Sequence, residues 1–337
     1  MSKAGPRRRP AVNLEIAARG GGAWAARQLR GRVTAGTSSL FAHGSYPLAR
    51  TLDYRGDPGL FGPDSMTWPV VGDVAVFVGG IRALLVQAAH PEVAAGVAEH
   101  SRYREDPLGR LARTASYVTA TSFGAMPEVE HAVAVVRGRH RPVTGQSGRG
   151  QPYDAADPAL AAWVHNSLTD SFLAAYRAYG ARPCAAADAD RYVAEQRRVG
   201  ALLDASPLPA TAGELSAWIA GLPELAPSAA GREAIRFLRR PPLPAPILAA
   251  YGLLFRAAAA TLPPRICAIT GVRPRSGDRL LGQAAVGALR WSLAASPDWR
   301  LALARTGSPE PPGVRFRQPL PVPPSPAASE NPGPAGS

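Results

Sequence analysis

Among the histidines His43, His90, His100, His131, His140 and His165, His140 has the neighbourhood best suited to chemistry. The spacing predicts a helix over 128–141, in which Val136, Val133 and Val129 precede His140 by four, seven and eleven residues. All four side chains then share one apolar, core-facing stripe. His131 falls on the opposite, solvated face at about 100° per residue, and Pro142 stops the helix. An imidazole at the core-facing end of a helix either completes a buried hydrogen-bond network or offers a neutral nitrogen to a haem iron from below. Spacing alone leaves both open. His165, beside Trp163 on a helix over 157–179, is the second choice for a ligand, with a core hydrogen-bonding role as its alternative. His90, at a helix end before Pro91, fits a carbonyl cap.

The segment before His140 adds a second set of candidates. On a helix over 107–123, Arg110, Arg113, Thr114, Tyr117 and Thr121 follow the steps i, i+3, i+4, i+7 and i+11, so one face is wholly polar. It carries arginines and hydroxyls but no acid. Such a row can clamp an anion through the guanidinium fork, or it is an ordinary solvated face. A helix over 69–89 is apolar nearly all round, with Asp73 and Arg82 on opposite faces and Gln87 on the Asp73 side. Buried charges need partners, so each is expected to meet another helix, and Arg82 can also reach an anionic cofactor. Glu128-x-x-His131 has the spacing of a carboxylate-bridged di-iron ligand pair. Such sites need a second Glu-x-x-His, which the sequence lacks.

These residues require helices to hold them, and the chain is patterned for helices. Candidates are 69–89, 91–101, 107–123, 128–141, 157–179, 188–204, 212–221, 229–240, 245–260 and 276–295. Several open on Asp-Pro or Pro start signals at Pro69, Pro91, Asp106-Pro107 and Asp157-Pro158. Pro241–Pro246 reads as a connector. The expected fold is all-α, a single multi-helix domain over 31–305 between a basic, partly disordered arm (1–30) and a disordered Pro-rich tail (306–337). The 34 Gly and 35 Pro residues are assigned to tails and loops.

Composition excludes several classes. Two cysteines, Cys184 and Cys267, cannot build a disulfide framework, a Cys-rich zinc site or an iron–sulfur cluster. The segments 69–89 and 247–262 are interrupted by charge and do not read as membrane spans. Arg7-Arg8-Arg9 is followed by Glu15, Arg19, Arg27 and Arg30 rather than an apolar run, so no export signal is read and a reduced cytoplasmic location is expected. The formal charge is +13, and all but one of the 38 basic residues are arginine. That surplus reads as compositional bias. No nucleic-acid-binding motif accompanies it, so no nucleic-acid partner is expected.

One set of motifs resembles a known family. Met66-Thr67-Trp68, Gly79-Gly80-Ile81-Arg82-Ala83-Leu84-Leu85-Val86-Gln87-Ala88-Ala89-His90-Pro91, Gly96-Val97 and His100-Ser101 are similar to the signature of the rubber oxygenase (latex clearing protein) and mycophenolic-acid-pathway oxygenase family. The likeness continues through Asp106-Pro107, Arg110-x-x-Arg113-Thr114, Phe123-Gly124, Val136-Arg137, His140, Gly145, Tyr153, Asp157-Pro158 and Trp163-Val164-His165.

The resemblance implies a globin-like, all-helical core holding haem b, and an oxygenase that uses dioxygen on an apolar, isoprenoid-like small molecule, with oxidative C=C cleavage. By that likeness His140 matches the proximal iron ligand, and Arg110 and Thr114 match polar residues near the haem. Arg82 and Tyr117 are added as cofactor contacts. Rubber-cleaving members carry a lysine where this chain has Arg113. A guanidinium stays protonated and has no lone pair to give iron, so Arg113 is expected to act as a hydrogen-bond donor, with Thr114 beside it. The family's glutamate base has no assigned counterpart here. The non-enzyme alternatives are a haem-carrying or sensing protein and a helical module that binds a lipid or partner.

Overall fold

The computed structural model describes residues 45–321 together with 28, 30, 31, 33 and 34. The arm at 1–27, the last 16 residues of the expected tail (322–337) and His43 lie outside the described residues. Thirteen bounded α-helices follow in order: α1 Thr67–Gly72, α2 Val76–Gln87, α3 Pro91–His100, α4 Pro107–Phe123, α5 Met126–His140, α6 Pro158–Tyr179, α7 Ala186–Ala201, α8 Ala212–Gly221, α9 Ala229–Arg239, α10 Ala245–Ala259, α11 Pro264–Thr270, α12 Asp278–Leu293 and α13 Pro297–Thr306. Between α5 and α6 stands a two-stranded antiparallel ribbon, β1 Thr144–Gln146 and β2 Pro152–Asp154, with Gly145 opposite Tyr153. Among the described residues the fold is all-α apart from this ribbon.

The central element is α6. Asp157 accepts hydrogen bonds from the Ala159 and Leu160 amides at 2.8 and 3.1 Å and Pro158 takes the first helical position, so the start is fixed by both devices that favour it. Buried side chains such as Trp163, Ser167, Phe172 and Tyr176 lie on several of its faces, because α2, α7, α8 and α12 all pack on it. The α2–α6 crossing needs Gly79: a Cβ there would stand 2.6 Å from the Phe172 ring. At the α12 contact, Gly282 likewise lies against Tyr179 and Ala257. α10 closes the other side of α2 and α12.

Two expectations are corrected. The helix expected over 69–89 is two helices, α1 and α2, broken at Asp73. Asp73 has an extended ψ of 145° and its Oδ1 accepts the Ala75 amide at 2.8 Å. Its carboxylate is held by Arg290 at 2.7 and 3.1 Å, so a side chain that competes for backbone donors ends one helix and starts the next. The expected tail also begins too early. Residues 314–320 alternate inward and outward, Val314, Phe316 and Leu320 pack on the core, and Phe316 sits edge-on to Trp299 at 5.6 Å. The Ala295 amide donates to the Arg315 carbonyl at 2.9 Å, so this stretch lies as an extended strap along the domain.

Candidate functional site

α4 begins where Asp106 accepts the Gly109 amide at 2.9 Å ahead of Pro107. The close fit of Gly109 against that carboxylate leaves no room for a Cβ. The helix packs against α1, α5 and α13, and its polar face is divided by environment. Arg113 is exposed and donates to Asp106 Oδ2 at 3.2 Å. Thr114, also exposed, returns its hydroxyl to the Arg110 carbonyl at 3.1 Å, and the buried Thr121 does the same to Tyr117 at 2.9 Å. The hydroxyl of Tyr117 is buried with no hydrogen-bond partner among the described residues, and burial raises its pKa well above that of free tyrosine.

Arg110 differs from Arg113. It is half-buried, and no carboxylate pairs with it among the described residues. Burial pulls its guanidinium below the ordinary arginine value; Tyr103 works against this and Arg113 adds to it. Tyr103, in the link between α3 and α4, is 5% exposed. Its ring lies edge-on to Phe237 of α9 at 5.0 Å, with the Arg104 guanidinium 4.8 Å from its centroid. The Tyr103 hydroxyl is again buried and unpartnered, and burial is the main cause of its raised pKa. A desolvated cation beside an unsatisfied hydroxyl donor is a pair suited to an anion. Sequence reasoning missed Tyr103 because it lies outside any helical stripe.

α5 follows after only Gly124 and Ala125 and packs on α4. Glu128 Oε2 accepts the Ala125 amide at 3.0 Å, so this acid closes the start of its own helix. His131 is exposed. No group of three or more His, Cys, Asp or Glu side chains suited to a metal ion occurs among the described residues. Val129 and Val133 are buried and Val136 and His140 half-buried, so the stripe runs from the core to its margin and ends on the imidazole. Burial lowers the His140 pKa below that of free histidine. Its ring nitrogens have no hydrogen-bond partner among the described residues, and at neutral pH they keep a lone pair available.

The remaining candidates have protein partners. Arg82 is 2% exposed. Its Nη1 donates to Asp170 at 2.6 Å and Ser171 at 2.8 Å, and its Nε to the Thr261 carbonyl at 3.2 Å. His165 is buried beneath Gly200, where a Cβ would come within 2.8 Å of its ring. Its Nε2 lies 3.5 Å from the Thr169 hydroxyl, and burial drives its pKa down to about 4. His90 precedes α3 with Nδ1 3.4 Å from Glu92, and burial lowers its pKa. Burial works to raise the Glu92 carboxyl, but hydrogen bonds from Arg149 and Ser147 (2.6–2.7 Å) bring it below the usual value. That group ties the β1–β2 loop to α3.

No helix among the described residues is long and apolar enough to cross a membrane. No curated protein and no solved structure matches the chain. The family model described as the catalytic domain of the ER-bound oxygenase mpaB/B'/rubber oxygenase matches residues 68–291, which spans α1 to α12 and includes Arg82, Tyr103, Arg110, Arg113, Thr114, Tyr117 and His140. With two thirds of its length matched, the chain belongs to the mpaB/rubber oxygenase catalytic-domain family.

Proposed function

We propose that the protein is a haem-b-dependent oxygenase that uses dioxygen to cleave a C=C bond in an apolar, isoprenoid-like small molecule. The observation that carries this reading is His140: a neutral, desolvated imidazole with no protein partner among the described residues, at the end of the one core-facing stripe of α5. The donor set fits the group. A lone nitrogen ligand is what a porphyrin leaves for the protein to supply, and Arg110 and Tyr103 offer a charged and a neutral donor for its propionates. Tyr117 adds a third buried donor on the same helix face as Arg110.

Haem supplies the redox-active iron for dioxygen chemistry. The chain's own part is to ligate, to orient and to keep water out. Arg113 cannot ligate; it is an exposed donor whose Nη1 pairs with Asp106 at 3.2 Å, and its other N–H groups are left to donate to oxygen or to a carboxylate. Thr114 sits one residue on, with its hydroxyl on the Arg110 carbonyl. Arg82 takes no part in cofactor contact in this reading, because Asp170, Ser171 and Thr261 occupy it.

The absorbance spectrum of purified protein tests the cofactor, and oxygen uptake with an isoprenoid alkene tests the reaction. Wild type is expected to show a Soret band that His140→Ala loses or shifts. A variant with full haem content and unchanged axial ligation overturns the assignment.

A further inference from the structure

The charge of this chain is not evenly spread. Residues 226–297 contain ten arginines and two acids, Glu233 and Asp278, whereas residues 31–225 carry more acids than bases. Both acids of the basic segment are already paired, Glu233 with Arg104 at 2.6 Å and Asp278 with Arg256 at 2.5 Å. The loop leading into α12 and its first turn present Arg273, Arg275 and Arg279, all exposed and without an ion-pair partner among the described residues. Next to them stand Leu280, 71% exposed, and Leu281, 40% exposed. Leu280, Ala284, Gly287 and Trp291 follow at four-, seven- and eleven-residue steps and are all exposed, a strip of about 16 Å along one side of α12. On α10, which packs on α12, Pro246, Ala249, Ala250 and Leu253 are exposed at helical spacing. Arg30 reaches the same face, its guanidinium lying over the Trp291 ring at 5.0 Å.

We infer that the α10–α12 face, with Arg273, Arg275 and Arg279 around Leu280 and Leu281, docks the protein on an anionic lipid surface. Exposed leucines at the first turn of a helix, close in sequence to three exposed arginines without an ion pair and in a segment whose two acids are both paired, match the two requirements of interfacial binding: apolar side chains to enter the acyl boundary and positive charge to hold the headgroups. A nucleic acid would satisfy the arginines but leave Leu280, Leu281 and Leu253 without a role. This face does not depend on the reaction proposed above, although an apolar substrate dissolved in lipid would be delivered there.

The test is co-sedimentation of the full-length protein with vesicles of phosphatidylcholine alone or with 30% phosphatidylserine, about 30% being ample to create the surface potential. Binding is expected only to the anionic vesicles and to weaken with salt. The triple variant Arg273→Gln, Arg275→Gln, Arg279→Gln should lose about 100-fold in partition, at about fivefold per arginine. Leu280→Glu/Leu281→Glu, both at exposed positions and so expected to fold as wild type by circular dichroism, should lose at least tenfold, and brominated lipid should quench tryptophan fluorescence in wild type but not in this variant. An absence of binding, or full binding by the leucine variant, overturns the inference. So does binding lost in Arg7→Ser/Arg8→Ser/Arg9→Ser but kept in both patch variants. Equal retention by duplex DNA that the leucine variant preserves points to a polyanion site and also overturns it.

Discussion

Arg82 of α2 and Asp170 of α6 meet at 2.6 Å with side chains only 3% and 14% exposed, where α2 packs on α6. The same guanidinium reaches Ser171 and the Thr261 carbonyl, so it pins α2, α6 and the end of α10 together. An arginine in the middle of an apolar helix is tolerable on these terms only: paired, and hydrogen-bonded at more than one nitrogen.

Removing either partner should therefore be severe. Arg82→Ala and Asp170→Ala are each expected to cost about 3–5 kcal/mol in urea unfolding, since each strands the other charge in the interior. The double variant should be less destabilised than the two singles added together. Full additivity in that cycle would mean that the pair contributes nothing as a unit.

How much of this was legible depends on what each residue answers to. α4 and α8 stand at the bounds that Asp106-Pro107 and the apolar spacing of 212–221 predict, because caps and periodicity are local signals. The Asp73 break was only half legible: its bond to the Ala75 amide is local, but Arg290, which holds the carboxylate, lies 217 residues away. The sequence pattern does not mark α11, which has only seven residues, or α13, which is as long as α8 but follows α12 after only three residues. The strap was legible in principle: Val314-Arg315-Phe316-Arg317 alternates as a strand does, but a Pro-rich surrounding drew it into the tail. At the site, the Val129–Val133–Val136–His140 stripe and the polar face of α4 follow helix geometry, whereas Tyr103 acquires meaning only through its neighbours Phe237 and Arg110.

The strap gives a direct test. Phe316→Ala is expected to lower stability by about 1–3 kcal/mol, less than a fully buried Phe, through lost contact with Trp299. Arg317→Ala, at an outward position, should change it by no more than about 0.5 kcal/mol. Equal effects at the two positions in thermal melts would deny that the segment packs in register.

Acid should destabilise the fold through His165. Its pKa is lowered from 6.5 to about 4 by burial, so between those values the unfolded chain binds a proton that the folded chain refuses. Stability is then complete above about pH 6.5 and falls as the pH drops towards 4, by about 3 kcal/mol in total. His165→Gln should flatten this part of the profile. Gly200→Ala, whose methyl would press on the same ring and on Leu208, should cost about 1–3 kcal/mol at every pH. A wild-type profile that His165→Gln leaves unchanged would place the acid sensitivity elsewhere, with His90 the next candidate.

Arg110 is where structure and function separate most cleanly. A half-buried, desolvated cation without a carboxylate is a cost to the fold, so Arg110→Ala in cofactor-free protein should leave the melting temperature unchanged or raise it, the opposite of Arg82→Ala. In the proposed holoenzyme the same change removes a charge-assisted hydrogen bond and should weaken haem affinity by about 10- to 100-fold. Tyr103→Phe, losing a neutral donor, should weaken it by about two- to tenfold. Both variants should keep the His140-ligated Soret maximum, because neither touches the iron. Haem titration followed in the Soret region reads affinity and ligation together. If Arg110→Ala destabilises the cofactor-free fold and binds haem like wild type, Arg110 serves packing and its partner is another part of the chain.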